Sequence, residues 1–284
     1  MFFSPIIYDE PLFRPPAEAF SLIFQVTIGC SWNKCAFCEM YSTKKFKVKK
    51  EEEIIDEIEK ASKYFPETKK IFLADGNAMV LSTSKLLKIL EAIHKHFPRI
   101  MRVSSYALPN DVSSKTDEEL RQLREAGLKL IYVGIETGDD ELLKLINKSE
   151  TFDSTVEGLL KAKKAGIKSS VMIVNGLGGK KYSEQHAVNS AKLLNIVQPE
   201  FTSTLVLSFP FGENFYKNKF SGEYISMTTT DLLKEMEILI SNTDLNSSIF
   251  RSNHASNFLV LEGILSRDKE KLLHQIRSVL NNNI

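Results

Sequence analysis

Apolar, β-rich runs alternate with segments of helical period along most of this chain, and that alternation limits the folds open to it more than any other feature. The β-rich runs are FSLIFQVT (20–27), KIFLA (70–74), MRVSS (101–105), LKLIYV (128–133), IKSSVMIV (167–174) and FTSTLVLS (201–208). Between them lie EEEIIDEIEKASKYF, SKLLKILEAIHKHF, TDEELRQLREAG, DDELLKLINK, STVEGLLKAKKAG and SEQHAVNSAKLLN, all of helical period. Thr116 and Glu119 have capping-box spacing, and Gly127 and Gly166 stand where helices should stop. Repeated strand–helix units predict a parallel sheet, here a partial (β/α)6 barrel of the TIM type over residues 20–210. At 284 residues and 43% hydrophobic, the chain is well within the size of one such barrel. Residues 1–19 read as an N-terminal extension. Residues 211–284, with the helical segments TTTDLLKEMEILISN and DKEKLLHQIRSVL, read as a C-terminal extension closing the same domain.

In barrels of this kind the C-terminal ends of the strands carry the site. Cys30 follows the first strand; Asp75, Gly76 and Asn77 follow the second. Ser105, Tyr106 and Asn110 follow the third, Glu136 the fourth and Asn175 the fifth, so the unusual residues share one rim. All three cysteines of the chain, Cys30, Cys35 and Cys38, fall in the single stretch TIGCSWNKCAFCEMY (27–41). Three thiolates in one loop can reach one inorganic centre. Structural zinc usually takes four protein ligands, and a fourth would have to come from one of five histidines, none nearby in sequence. An iron–sulfur cluster is normally held by four cysteines, so a three-cysteine loop leaves one iron for a non-protein ligand. The remaining reading is three buried structural cysteines.

Composition excludes several classes. Thirty-seven basic and 36 acidic residues leave a formal charge of +1, so no global field steers the chain to nucleic acid or a membrane. An odd, clustered set of cysteines argues against a secreted disulfide framework and for a reduced, cytoplasmic setting. The N-terminal MFFSPIIYDEPLFRPP has neither a basic n-region nor a long apolar run, and no transmembrane segment is legible.

The cysteine loop resembles the cluster motif of the radical S-adenosylmethionine (radical SAM) enzymes. In that family three cysteines ligate three irons of a [4Fe–4S] cluster and SAM binds the fourth. Phe37 before Cys38 matches the family's usual aromatic, but the spacing is Cys-x4-Cys-x2-Cys instead of the commoner Cys-x3-Cys-x2-Cys. The extra residue must loop out between Cys30 and Cys35, at Asn33 on this reading. LADGNA (73–78), with Ala74, Asp75, Gly76 and Asn77, is similar to the small-residue segment that receives the SAM amino group. VGIETGDDELLKLINKSET (133–151) is similar to the strand-four segment of the coproporphyrinogen-dehydrogenase and elongator-like branch. The resemblance implies that Glu136 contacts SAM, that Lys148 reaches its carboxylate, and that Asn175 in IVNGLGG (173–179) faces the adenosine. It further implies reductive cleavage of SAM to a 5′-deoxyadenosyl radical and an electron donor such as flavodoxin or ferredoxin; the substrate is expected to be a small polar molecule.

Other features leave alternatives open. The run KKFKVKK (44–50) reads as a solvated helix entry or as a phosphate-facing patch that would suit an RNA-modifying enzyme of the same family. His94, His96 and His186 read as surface residues. Arg251, Asn253, His254 and Asn257 in FRSNHASNFL (250–259) read either as substrate-binding groups at the barrel mouth or as a hydrogen-bonded structural corner. Aromatics of SFPFGENFY (208–216) are expected to shape a pocket. A non-catalytic zinc or iron–sulfur scaffold is the rival from another class, disfavoured by the glycine-containing rim.

Overall fold

The computed structural model describes residues 5–282. In chain order the elements are β1 (Leu22–Gln25), β2 (Thr27–Ile28), β3 (Lys47–Val48), α1 (Glu51–Tyr64), β4 (Lys70–Ala74), α2 (Thr83–His96), β5 (Arg102–Tyr106), α3 (Pro109–Ser113), α4 (Asp117–Glu125) and β6 (Leu128–Glu136). There follow α5 (Asp140–Leu145), α6 (Phe152–Lys164), β7 (Lys168–Asn175), α7 (Gly179–Val197), β8 (Phe201–Val206), α8 (Glu213–Lys219), α9 (Thr229–Ser241), β9 (Ile249–Arg251), β10 (Glu262–Ile264) and α10 (Leu265–Asn282). The main sheet has eight strands in the order β1-β4-β5-β6-β7-β8-β9-β10. β1 with β4, β4 with β5, β5 with β6, β7 with β8 and β8 with β9 all pair in parallel, whereas β10 is antiparallel to its neighbour β9. The expected α/β class, a mostly parallel sheet of the partial-barrel kind, is what the chain forms.

The chain divides into two compact units. The first takes in residues up to Asn33, Cys38–Val133 and Leu160–Ser169. It carries β1, β4, β5 and the start of β6, with α1, α2 and α4. β4 is buried along Ile71–Ala74, as a strand covered on both faces should be. In α1, Ile54, Ile58 and Ala61 recur at helical spacing and are fully buried, while Glu51, Glu52 and Glu53 occupy the first turn, where the helix dipole favours acids. Thr116 caps α4 and Glu119 returns the bond, as their spacing predicts. Gly127 (φ +106°) and Gly166 (φ +78°) end α4 and α6 in the left-handed region that favours glycine.

The second unit takes in Lys34–Phe37, Gly134–Leu159 and the chain from Ser170 onward. Leu142, Leu143, Ile146, Val174, Leu177, Tyr182, Tyr216 and Phe220 form one buried cluster around Ala36, with Phe37, Phe209 and Tyr224 packed against it. Three of these aromatics come from the SFPFGENFY region and from α8. They build a wall behind the Lys34–Phe37 segment. The sequence reading omits β3, β9, β10, α3 and α8. Strands of two or three residues show too little alternation to be recognised, and helices of one or two turns too little period.

Candidate functional site

In the first unit β2 and β3 pair as a short antiparallel ribbon, Thr27 opposite Val48 and Ile28 opposite Lys47, and residues 29–46 form the cysteine-bearing excursion between them. Cys30, Cys35 and Cys38 are each partly exposed, and no disulfide joins them. Asn33, between the first two cysteines, has φ +50°, the left-handed conformation an asparagine tolerates. Its Nδ2 donates to the carbonyls of Tyr41 (2.9 Å) and Lys44 (3.3 Å), tying the excursion to itself.

The turn after β4 lies against the start of this loop. Gly76 N donates to Gly29 O at 3.2 Å. A Cβ on Gly76 would stand 2.8 Å from Cys30 Cα, so only glycine permits this approach. Asp75 is fully buried, and its Oδ2 accepts from Gly29 N at 3.0 Å and from Lys44 Nζ at 2.9 Å. Its Oδ1 is buried with no hydrogen-bond partner. Ala74 is buried at the strand end. Asn77 is engaged inside the protein: Nδ2 donates to Asp111 Oδ2 and Ser31 Oγ, and Oδ1 accepts from Leu108 N. Lys44 corrects the reading of KKFKVKK as a solvated entry: its side chain is 3% exposed, whereas Lys45, Lys47 and Lys50 do face solvent. Ser105 and Tyr106 lie within β5, buried and half-buried, and Asn110 on α3 is exposed.

In the second unit Ala36 N donates to Ile146 O at 2.8 Å and Asn147 Nδ2 to Lys34 O at 3.2 Å, which fixes the segment flanking Cys35 on the end of α5. Glu136 ends β6 with φ +62°, a conformation non-glycine residues seldom adopt. Its Oε1 lies 3.0 Å from Lys148 Nζ, which also donates to Gly134 O at 2.9 Å, and the two side chains are 6% exposed each. Glu136 Oε2 is buried without a partner. Burial alone would lower the Lys148 pKa, but the Glu136 carboxylate and then the Cys35 thiolate outweigh it and hold the ammonium well above the usual lysine range. A Cβ on Gly134 would meet Glu136 Oε1, so a larger residue there would displace the end of the Glu136 side chain.

Asn175 ends β7, buried, with Oδ1 unpartnered and Nδ2 3.9 Å from Met236 Sδ. Behind it lies a pair that the sequence reading missed or misplaced. His186, expected at the surface, is 1% exposed; its Nδ1 shares a hydrogen bond with Thr137 Oγ1 at 2.8 Å. Glu235, on α9, accepts from Gly176 N at 2.6 Å and lies 3.8 Å from His186 Nε2. A signal for His186 existed: Tyr182, His186 and Ser190 recur at helical spacing, and all are buried.

Burial pushes Glu235 up to about 7 and His186 down to about 4. The signs oppose. Glu235 stabilises the fold fully below its unfolded pKa and loses that contribution as pH rises to about 7. His186 contributes above its unfolded pKa and loses its contribution as pH falls through about 4. Between roughly pH 4.5 and 6.5 the two slopes offset, each about 1.4 kcal/mol per pH unit at full strength. In Glu235→Gln the histidine term is left alone, so the melting temperature should rise more steeply with pH across that window than in the wild type. Parallel melting curves of the two proteins over pH 4–7 would contradict the assignment.

The hairpin region holds the polar set of FRSNHASNFL. Arg251 pairs with Glu262, its cross-strand partner, at 3.3 Å. His254 and Ser256 bond each other locally, Asn253 is exposed, and Asn257 Nδ2 donates to Thr204 O at 2.9 Å. His94 is exposed and His96 half-buried.

The donor set suits an iron–sulfur cluster. In the first unit Cys30 and Cys38 are free thiols, a glycine cradle abuts Cys30, and Asp75 has a buried acceptor without a partner; in the second unit Cys35 is a free thiol, and Glu136 and Asn175 each have such an acceptor at a strand end. Among the described residues no three His, Cys, Asp or Glu side chains are already gathered as a cage. The fit is one of ligand chemistry: three free thiols stand in one loop, and thiolate is the ligand an iron–sulfur cluster takes. A mostly parallel α/β fold with this loop after its first strand defines a class of cluster-binding barrel protein. Residues 24–194 match the model of the radical SAM superfamily, and the chain belongs to that superfamily.

Among curated proteins the chain is 26% identical over 168 residues to the heme chaperone HemW of Bacillus subtilis (strain 168), covering 58% of this chain and 44% of HemW. It thus spans less than half the length of that relative. The coproporphyrinogen III oxidase HemN of Escherichia coli superposes with a TM-score of 0.61 at 15% identity, over 78% of this chain and 52% of HemN. The anSMEcpe structure with bound AdoMet gives 0.58 at 16% identity, over 78% and 58%. These structural likenesses show the fold. No helix of the described residues is long and apolar enough to cross a membrane.

Proposed function

We propose that the chain is a radical SAM enzyme whose [4Fe–4S] cluster is held by Cys30, Cys35 and Cys38 and whose substrate is a small polar molecule. The observation that carries this reading is the tethered three-thiol loop lying inside the stretch that matches the superfamily. When bound, the cluster and SAM together supply a 5′-deoxyadenosyl radical able to abstract hydrogen. The protein's own part is to bind and orient. Lys148 offers an ammonium to the carboxylate of SAM, and Glu136 Oε2, buried and unpaired, is an acceptor awaiting a donor. Asp75 Oδ1 and the Gly76 turn suit the SAM amino group, Asn175 Oδ1 suits an N–H or O–H of the adenosine, and Phe37 presents an aromatic beside the cluster cysteines. Arg251, Asn253, His254 and Asn257 remain the groups assigned to the substrate, with Asn257 the one whose amide oxygen is buried and unpaired. An electron donor of the flavodoxin or ferredoxin type, in a cytoplasmic setting, completes the system.

The experiment is anaerobic reconstitution with iron and sulfide, reduction, and incubation with SAM, followed by chromatography for 5′-deoxyadenosine. Formation of 5′-deoxyadenosine and methionine is expected even without substrate, as slow uncoupled cleavage. A chain that takes up the cluster but never yields 5′-deoxyadenosine is not an enzyme of this kind, and a chain that retains stoichiometric zinc and refuses iron is a scaffold.

A further inference from the structure

Both ends of the cysteine loop close on a single carboxylate oxygen. At the entrance Gly29 N donates to Asp75 Oδ2 at 3.0 Å; at the exit Lys44 Nζ donates to the same oxygen at 2.9 Å. The pair is buried, with Lys44 3% and Asp75 0% exposed. Lys44 Nζ also donates to the carbonyl of Asp9, whose carboxylate stands 3.4 Å away, so the N-terminal segment joins the closure. Asn33 holds the Lys44 carbonyl, and Lys44 N donates to Tyr41 O at 3.0 Å, which carries the constraint back into the loop. A lysine removed from water to this degree is costly unless its charge is met, and Asp75 meets it.

The geometry points to Lys44 as a positioning residue: with Asp75 it forms a clasp that closes the base of the loop bearing Cys30 and Cys38 and limits the conformations open to its thiols. Lys44 does not touch the cluster or SAM in this role. Closing the loop at its base lowers the conformational freedom that the thiols must lose when they ligate, in the way preorganisation aids any binding site. The inference rests on the cofactor reading above for its consequence, but not for its geometry.

The test compares wild type, Lys44→Met, Lys44→Met/Asp75→Asn and Lys44→Arg, all anaerobically reconstituted. Two readouts are taken: the rate of iron loss to a chelator, and the melting temperature of the metal-free protein. Lys44→Met leaves the Asp75 charge buried and unpaired, so it should melt earlier and lose iron at least tenfold faster. In the double variant no charge is stranded, because the amide that replaces the carboxylate is neutral. The metal-free melting temperature should then return toward wild type while iron loss stays at least tenfold fast, because the clasp is still absent. Lys44→Arg, which keeps charge and donors, should slow iron loss relative to Lys44→Met. Three results overturn the proposal: iron loss from Lys44→Met at the wild-type rate, iron loss from the double variant at the wild-type rate, or a double variant that fails to fold, which would make the pair a support of the whole unit. If the wild type takes up no iron, the cofactor reading fails by itself. The clasp is then judged in metal-free protein from the alkylation rate of Cys30, which the double variant should raise and which an unchanged rate would refute.

Discussion

Cys30→Ala, Cys35→Ala and Cys38→Ala will each reduce bound iron from about four per chain to near zero after anaerobic reconstitution. The effect is all-or-none because the chain offers no replacement. It has only these three cysteines, and among the described residues no group of His, Cys, Asp or Glu is already gathered to hold a metal. A cluster held by three thiolates that loses one has two protein ligands on a loop partly open to solvent. The folds of the variants should persist, since each thiol is partly exposed and none fills the core. Far-UV circular dichroism and metal-free melting temperatures should therefore match the wild type while the visible absorption of the cluster is lost. Retention of full iron in any one of the three would show that this cysteine is not a ligand.

What the sequence revealed and what it concealed divide along range of interaction. KIFLA was expected as a strand over 70–74 and is β4, Lys70–Ala74, because an unbroken apolar run between polar flanks needs no distant information. The Thr116–Glu119 capping box is set by residues three apart. Lys44 could not be placed this way. In sequence it belongs to a basic run, and only the fold supplies Asp75, 31 positions later, as the partner that draws it inward. Glu235 is a similar case, because its hydrogen bond to Gly176 spans 59 positions. His186 was misplaced for another reason. α7 buries Tyr182, His186, Ala187, Ser190, Ala191, Leu193, Leu194 and Val197, a face wide enough to take in polar residues that a two-class pattern assigns to solvent. The residues assigned to the cofactors thus came from motif and order, while the side chains that hold those residues in place became visible only through the fold.

Lys148→Met and Glu136→Gln should both weaken SAM binding, and the first should cost more stability than the second. The two side chains are paired at 3.0 Å and 6% exposed each, so removing the lysine leaves a buried carboxylate with no counter-charge. Breaking a buried pair from one side typically costs about 3–5 kcal/mol. Glu136→Gln keeps the shape and an acceptor oxygen, and Lys148 retains the Gly134 carbonyl at 2.9 Å, so its melting temperature should fall less. For SAM the comparison runs differently. Each variant loses a charged partner for a ligand whose amino and carboxylate groups are both ionised, at roughly 1.5–3 kcal/mol, or about ten- to a hundredfold in affinity. Cluster content should remain that of the wild type in Glu136→Gln, because Glu136 is not among the thiol ligands. Calorimetric titration of the reconstituted proteins with SAM, run beside thermal melts, separates the two effects. Unchanged SAM affinity in both variants would mean that the Glu136–Lys148 pair braces the end of β6 without touching the cofactor, and the assignment of these residues to SAM would have to be withdrawn.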